Sequence, residues 1–289
     1  MLKLENIRQQ FADKILYEDL NLQINNGEHL GLIGQNGAGK STLIKIITGE
    51  ILPDDGRVEI SKNSQVGYLD QYVRMEETLT IYEFLKTAFQ VELDKETTIG
   101  RLYVKYGEEL DENLLEKAGK LQTELDQSEF YQSDTLIEEM AAGLGIDVLG
   151  LNTLVKNLSG GQRSKVILAK LLLEKPDILV LDEPTNHLDD KHVQWLIEFL
   201  QNFEGTFLVV SHDQVFLNAI TTHIAEIEFG KLTKYTGNLK KAMKQKEANK
   251  ETYLRQYAAQ KKHIEKTESY IRKYKAGSRS TMAKSREKQ

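Results

Sequence analysis

The chain has 289 residues, 40% of them hydrophobic, enough to bury a full α/β core and leave room for a smaller appended element. It contains no cysteine, which excludes disulfides and thiolate metal sites; nothing calls for an oxidising compartment, and the cytoplasm is the expected location. No apolar run approaches the roughly 20 residues of a membrane helix, and Met1 to Leu20 lacks the apolar stretch of a signal peptide, so no membrane insertion is expected.

Taken in chain order, Leu2 to Ile24, Arg57 to Ile60 and Gln65 to Leu69 carry short strand-like patches broken by turn formers such as Pro53-Asp54-Asp55-Gly56, which predicts an antiparallel sheet. Leu30 to Ile33, Ile178 to Leu181 and Phe207 to Val210 are continuous apolar runs, the pattern of a parallel sheet covered on both faces. Thr42 to Thr48 and Val193 to Leu200 have helical spacing, so the core reads as alternating strand and helix. From Glu83 to Gly143 the strand signal disappears. Gly107 to Glu139 alone holds 11 acidic residues and 2 lysines, too much charge to bury, which predicts a helical insertion projecting into solvent.

The net charge of −6 hides two parts of opposite sign. From Lys240 to Gln289 there are 16 Lys and Arg against 5 Glu, giving +11, while the preceding 239 residues carry −17. A stripe of Tyr253, Tyr257, Ile264, Ile271 and Tyr274 predicts one long helix in this tail, ending at Ala276-Gly277-Ser278. Two readings stand for it: a solvated helix, or a surface for phosphate-rich or acidic partners.

Gly34-Gln35-Asn36-Gly37-Ala38-Gly39-Lys40-Ser41 matches the phosphate-loop pattern, and it lies between an apolar strand and a helical run beginning at Thr42, where the mechanism requires it. Glycines let successive N–H groups face phosphate oxygens, the helix adds its positive end, Lys40 neutralises the outer phosphates of ATP and Ser41 ligates Mg²⁺. A phosphate loop needs an acid at the end of a neighbouring strand, and Ile178 to Glu183 supplies two. Asp182 is the metal-side carboxylate and Glu183 the candidate general base.

Three further elements give the sequence its resemblance to the ABC ATPase family. Leu158-Ser159-Gly160-Gly161-Gln162 resembles the signature motif, Gln71 the Q-loop glutamine that joins Ser41 and Asp182 about the metal, and His212 in Val210-Ser211-His212-Asp213 the switch histidine of catalysis. Asp189 resembles the D-loop aspartate, and Phe11 stands where the family places an aromatic ring on adenine, with a sheet-core role as the other reading. Trp195 has apolar neighbours at helical spacing and reads as core packing. The resemblance implies an α/β P-loop NTPase domain over 1–239, with a RecA-like parallel core, an antiparallel β subdomain and a helical subdomain with an arm over about 83–170, followed by a helical linker over 240–289. It implies ATP and Mg²⁺ as ligands, and an ATP shared between the phosphate loop of one domain and Ser159, Gly160, Gly161 and Gln162 of another.

Leu181-Asp182-Glu183-Pro184-Thr185-Asn186-His187-Leu188-Asp189, Arg163 after the signature, the acidic insertion and the basic tail together resemble the ABC-F branch, whose members act on the ribosome. Tyr270-Ile271-Arg272-Lys273 and Ala283 to Lys288 are similar to that branch's linker, which approaches tRNA and ribosomal RNA. The resemblance also implies that a second ATPase domain lies beyond this sequence, so the missing half-site comes from that domain or from a head-to-tail homodimer. The alternatives are a transporter's ATP-binding subunit and a DNA-repair or chromosome-structuring ATPase. The last of these separates its motif halves by a long coiled coil, whereas 141 residues separate Lys40 from Asp182 here.

Overall fold

A computed structural model describes residues 1–11, 14–62, 64–69 and 75–274. Strands β1 (Leu2–Phe11) and β2 (Lys14–Ile24) form an antiparallel hairpin, β3 (His29–Gly34) leads into helix α1 (Lys40–Ile47), and β4 (Asp55–Ile60) returns to β1. The resulting sheet has the order β2-β1-β4. Its inward face alternates with its outward one, so Leu2, Leu4 and Ile7 of β1 and Tyr17, Leu20, Leu22 and Ile24 of β2 are buried.

A second sheet has the order β5-β6-β7-β3-β8-β9, with β5 (Val66–Tyr68), β6 (Ile178–Asp182), β7 (Thr206–Val210), β8 (His223–Glu228) and β9 (Lys231–Thr236). All its pairings are parallel except β8 with β9. The segment Gln65 to Leu69 therefore corrects one expectation: its strand pairs with β6 in this sheet and not in the antiparallel one. A short apolar run fixes strand character, but the choice of partner is tertiary. Leu43, Ile44 and Ile47 of α1 share one core with both sheets, among them Tyr17, Leu20, Leu30, Leu32 and Val180.

The insertion is helical. Helix α2 (Ile81–Lys86) begins with a capping box in which Thr80 Oγ1 accepts from the Glu83 amide and Glu83 Oε2 accepts from the Thr80 amide. Helices α3 (Gln90–Glu109) and α4 (Glu112–Asp126) form a hairpin that turns at Leu110, in the left-handed region, and Asp111, the cap of α4. Ile99, Leu114, Ala118 and Leu125 are buried along it, and Lys95 pairs with Glu124 at 2.9 Å across it. Its remaining surface carries the acidic residues, as expected for a projection. Helix α5 (Ser133–Leu144) follows, then α6 (Gly160–Leu173), α7 (Asp190–Gln201) and α8 (Gln214–Ile220). Trp195 is half-buried on α7, stacked 5.5 Å from Phe199 and seated on α5 at Gly143, where a Cβ would overlap its ring.

The chain divides into two units, Met1–Leu239 and Lys240–Gln289. Helix α9 (Leu239–Tyr274) is one helix of 36 residues. Tyr253, Tyr257 and Ile264 of its apolar stripe are exposed.

Candidate functional site

The parallel register gathers the phosphate loop, Asp182, Glu183 and His212 at one edge. Leu32 of β3 lies opposite Val210 of β7, and Val210 lies opposite Asp182 of β6. The chain therefore leaves three adjacent strands at the same end, where Gly34 to Lys40, Glu183 and His212 follow. This carboxyl edge is where open α/β sheets bind ligands.

The loop after β3 has the conformation its glycines permit. Gly37 has φ 76° and Gly39 has φ 102°, both in the region that favours glycine. The Ala38 amide donates to the Gln35 carbonyl at 3.1 Å, closing a tight turn, and the Leu43 amide donates to the Gly39 carbonyl at 2.9 Å, opening α1. Lys40 curls back over the loop, its Nζ donating to the carbonyls of Gly34 at 2.9 Å and Gln35 at 3.2 Å. The ammonium is thereby held at the mouth of the loop. Asn36 and Ser41 are exposed and Thr42 is half-buried, all within the same stretch.

Two residues of β2 grip this loop from behind, and no sequence signal marked either of them. Lys14 Nζ donates to the Gly37 carbonyl at 3.0 Å, and the fully buried Tyr17 donates its hydroxyl to the Gly39 carbonyl. Burial pushes the Tyr17 hydroxyl's pKa up, so it stays a donor. Phe11 pairs in register with Lys14 at the tip of the hairpin and is 47% exposed. Its ring is not sheet core.

Asp182 ends β6 half-buried, and Glu183 follows with φ 50°, a left-handed conformation that is costly for a side-chain-bearing residue and is held by its amide donating to the Val210 carbonyl at 2.9 Å. The His212 amide lies 3.3 Å from Glu183 Oε2, and the exposed His212 ring places Nε2 3.5 Å from Oε1. Glu183 Oε1 is itself buried without a hydrogen-bond partner among the described residues. The left-handed backbone at Glu183 fixes where its carboxylate stands at the end of β6.

Ser159 caps α6. Its Oγ accepts from the Gln162 amide at 3.4 Å, and Gln162 Oε1 accepts from the Ser159 amide at 2.8 Å. Gly160 and Gly161 fill the first turn, and Gly161 faces the His187 ring, which approaches an added Cβ to 3.1 Å. Among the described residues, no hydrogen bond or ion pair joins Ser159 to Gln162 with the loop at 34–42. Asp189 caps α7 by accepting from the His192 amide at 3.1 Å, a bond that holds its carboxyl below the usual carboxylate range. Gln71 lies outside the described residues.

A family model described as ABC transporter matches residues 17–186, and a second model of the same description matches residues 225–289. The chain is 43% identical over its full length to YfmM of Bacillus subtilis, an uncharacterised ABC transporter ATP-binding protein, and covers 56% of it. It is 32% identical over 98% of its length to the energy-dependent translational throttle protein EttA of Mycobacterium tuberculosis, covering 50% of that protein. To ABC transporter F family member 5 of Arabidopsis thaliana it is 33% identical over 99% of its length, covering 42%. The chain thus spans about half the length of these relatives. Among solved structures, the ATP-binding subunit of an ABC transporter superposes with TM-score 0.61 at 21% identity, over 82% of this chain and 90% of that one. The ATP-binding cassette MJ0796, dimeric and bound to ADP and Pi, superposes with TM-score 0.55 at 23% identity, over 82% and 98%. These two likenesses establish the fold alone. With the family model covering more than half of it, the chain belongs to the ABC ATPase family.

Proposed function

We propose that this chain hydrolyses ATP with Mg²⁺ and belongs to the ABC-F branch, acting on the ribosome in translation. The observation that carries the hydrolytic reading is Glu183, whose carboxylate, held by the His212 amide, stands at the sheet edge shared with the phosphate loop. The residues suit the ligands. Gly34, Gln35, Asn36, Gly37, Ala38, Gly39, Lys40, Ser41 and Thr42 would receive the phosphates and Phe11 the adenine, while Ser41, Asp182 and Gln71 would hold the metal shell. The metal supplies neutralisation of phosphate charge when bound. Glu183 accepts the proton of the attacking water, and His212 fixes the carboxylate from the neighbouring strand end.

The translational reading is supported by the relatives named a translational throttle protein and an F family member, and by the acidic α3–α4 hairpin and basic α9. The competing reading, a transporter's ATP-binding subunit, is favoured by the description of the 43% identical relative. Among the described residues no helix is long and apolar enough to cross a membrane, so that reading needs a separate membrane partner.

Titration with Mg-ATP tests the nucleotide site. Lys40→Ala removes a charge-assisted contact of typically about 1.5 to 3 kcal/mol and should abolish most binding. Equal affinities for wild type and variant would place the site elsewhere.

A further inference from the structure

We propose that Lys14 and Tyr17 are positioning residues for nucleotide binding, which hold the phosphate loop in its receptive conformation from strand β2. The proposal rests on the reading of residues 34–42 as the phosphate site.

The two residues lie three apart on one strand and reach carbonyls two apart in the loop, Gly37 for Lys14 and Gly39 for Tyr17. Across a trans peptide the carbonyl and the following N–H point in opposite directions. The Gly39 carbonyl accepts from both the Leu43 amide and the Tyr17 hydroxyl, so the Lys40 N–H of the same peptide is turned away from α1 and off its start, into the loop. Were that plane to flip, a carbonyl would face the incoming phosphate oxygens in place of a donor. Glycine makes such a flip easy, because φ of either sign is open to it. The Ala38 and Leu43 amides already bond within the loop and its helix, and Lys14 and Tyr17 add a second restraint from β2 on the Gly37 and Gly39 carbonyls.

Steric fit makes the pairing reciprocal. A Cβ at position 39 would overlap the Tyr17 hydroxyl and crowd its ring, so glycine at 39 serves the approach of Tyr17 as well as the backbone angle. Position 37 is different: an added Cβ there would stand 3.5 Å from Lys14 Nζ, which is ordinary contact. Tyr17 is the rigid support, fully buried in the core shared by both sheets and α1, whereas Lys14 is an exposed tether that sits opposite Phe11 in the hairpin register. The hairpin thus links the ring proposed for adenine to the loop proposed for phosphates.

The test compares Mg-ATP dissociation constants of the whole chain for wild type, Tyr17→Phe, Lys14→Met, the double variant and Lys40→Ala, with melting temperatures taken without nucleotide. Losing one ordinary hydrogen bond corresponds to about a five-fold weaker affinity, and losing both to about twenty-five-fold. Tyr17→Phe keeps the ring and Lys14→Met keeps the stem. Affinity should therefore fall while the melting temperature of Lys14→Met stays that of wild type, a separation that a purely structural role would not produce. Lys14→Arg, which retains a donor, should restore affinity to within about two-fold. If Lys40→Ala loses binding but both single variants and the double variant bind like wild type, the positioning role is overturned and the ATP site stands. If Lys40→Ala binds like wild type, the site assignment itself fails. Should Tyr17→Phe not fold, Lys14→Met against Lys14→Arg still decides: equal affinities for the two overturn the proposal.

Discussion

Glu183 and His212 meet across the ends of two adjacent parallel strands, the backbone amide of one fixing a carboxylate oxygen of the other at 3.3 Å while the His212 ring places Nε2 3.5 Å from the second, buried oxygen. The amide contact orients the carboxylate without using the oxygen that would receive the proton. Glu183→Gln keeps the acceptor for that amide and loses the basic oxygen. The expected result is a hydrolysis rate lower by roughly 10²-fold or more, with Mg-ATP affinity retained. Steady-state turnover measured beside equilibrium binding checks both halves, and an unchanged rate would remove Glu183 from the role of base.

The capping box at Ser159 bears on copy number. Its Gln162 is occupied in fixing the start of α6, and the serine hydroxyl, although it accepts from the Gln162 amide, can still donate to an anion. Ser159 to Gln162 have no bond to the chain's own phosphate loop among the described residues. Hydrolysis should therefore rise more than linearly with protein concentration, as one copy supplies the signature to another, and Ser159→Ala mixed with Lys40→Ala should recover part of the activity that each has lost. Specific activity that holds steady over a hundredfold dilution would argue for a site complete within one copy.

Much of this site is written locally in the sequence. Gly34 to Ser41 declares itself because a phosphate nest demands glycines and a lysine at fixed spacing between strand and helix, and the run from Ile178 to Glu183 does so because a doubly covered strand must be continuously apolar until its polar end. What could not be read depends on partners far along the chain. Val66 to Tyr68 belongs beside Ile178 to Val180, a pairing that no local pattern encodes. Tyr17 looks like any inward-facing strand residue, and only the fold shows its hydroxyl beneath Gly39. The exposure of Phe11 follows from its place at a hairpin tip, a property of the register rather than of the residue.

His29 opens the strand that carries the phosphate loop, stacked 4.2 Å from Phe207 with Nε2 donating to the Phe203 carbonyl at 3.1 Å. Burial lowers its pKa below the ordinary 6.5, so the unfolded chain takes up a proton before the folded one as pH falls. The stability contributed by the neutral ring is complete above the unfolded value and is lost as pH drops through the folded one. His29→Gln keeps a donor but cannot titrate. Melting temperatures followed from about pH 7 to about pH 5 should therefore fall less steeply for the variant than for wild type. Parallel curves would show that His29 binds its proton equally in the folded and unfolded chain, and would overturn the role given to its burial.

Helix α9 leaves Tyr253 and Tyr257 65% and 56% exposed and stacked on one another at 6.5 Å, on a segment whose sequence from Lys240 carries +11. An exposed aromatic pair amid lysines gains nothing from water, whereas RNA offers phosphates to the cations and unstacked bases to the rings. A solvated spacer helix is the bland account of the same charge. The two accounts differ in how salt acts. Phosphate contacts release counterions, so ribosome binding by the chain should weaken steeply with added salt and show little base preference. Replacing Lys261, Lys262 and Lys266 together by Gln should flatten that salt dependence by about two to three contacts in slope, and Tyr253→Ala with Tyr257→Ala should weaken binding without changing the slope. Mg-ATP affinity should stay at its wild-type value in both sets. Co-sedimentation with ribosomes that is unaltered in every variant across the salt series would leave α9 a spacer.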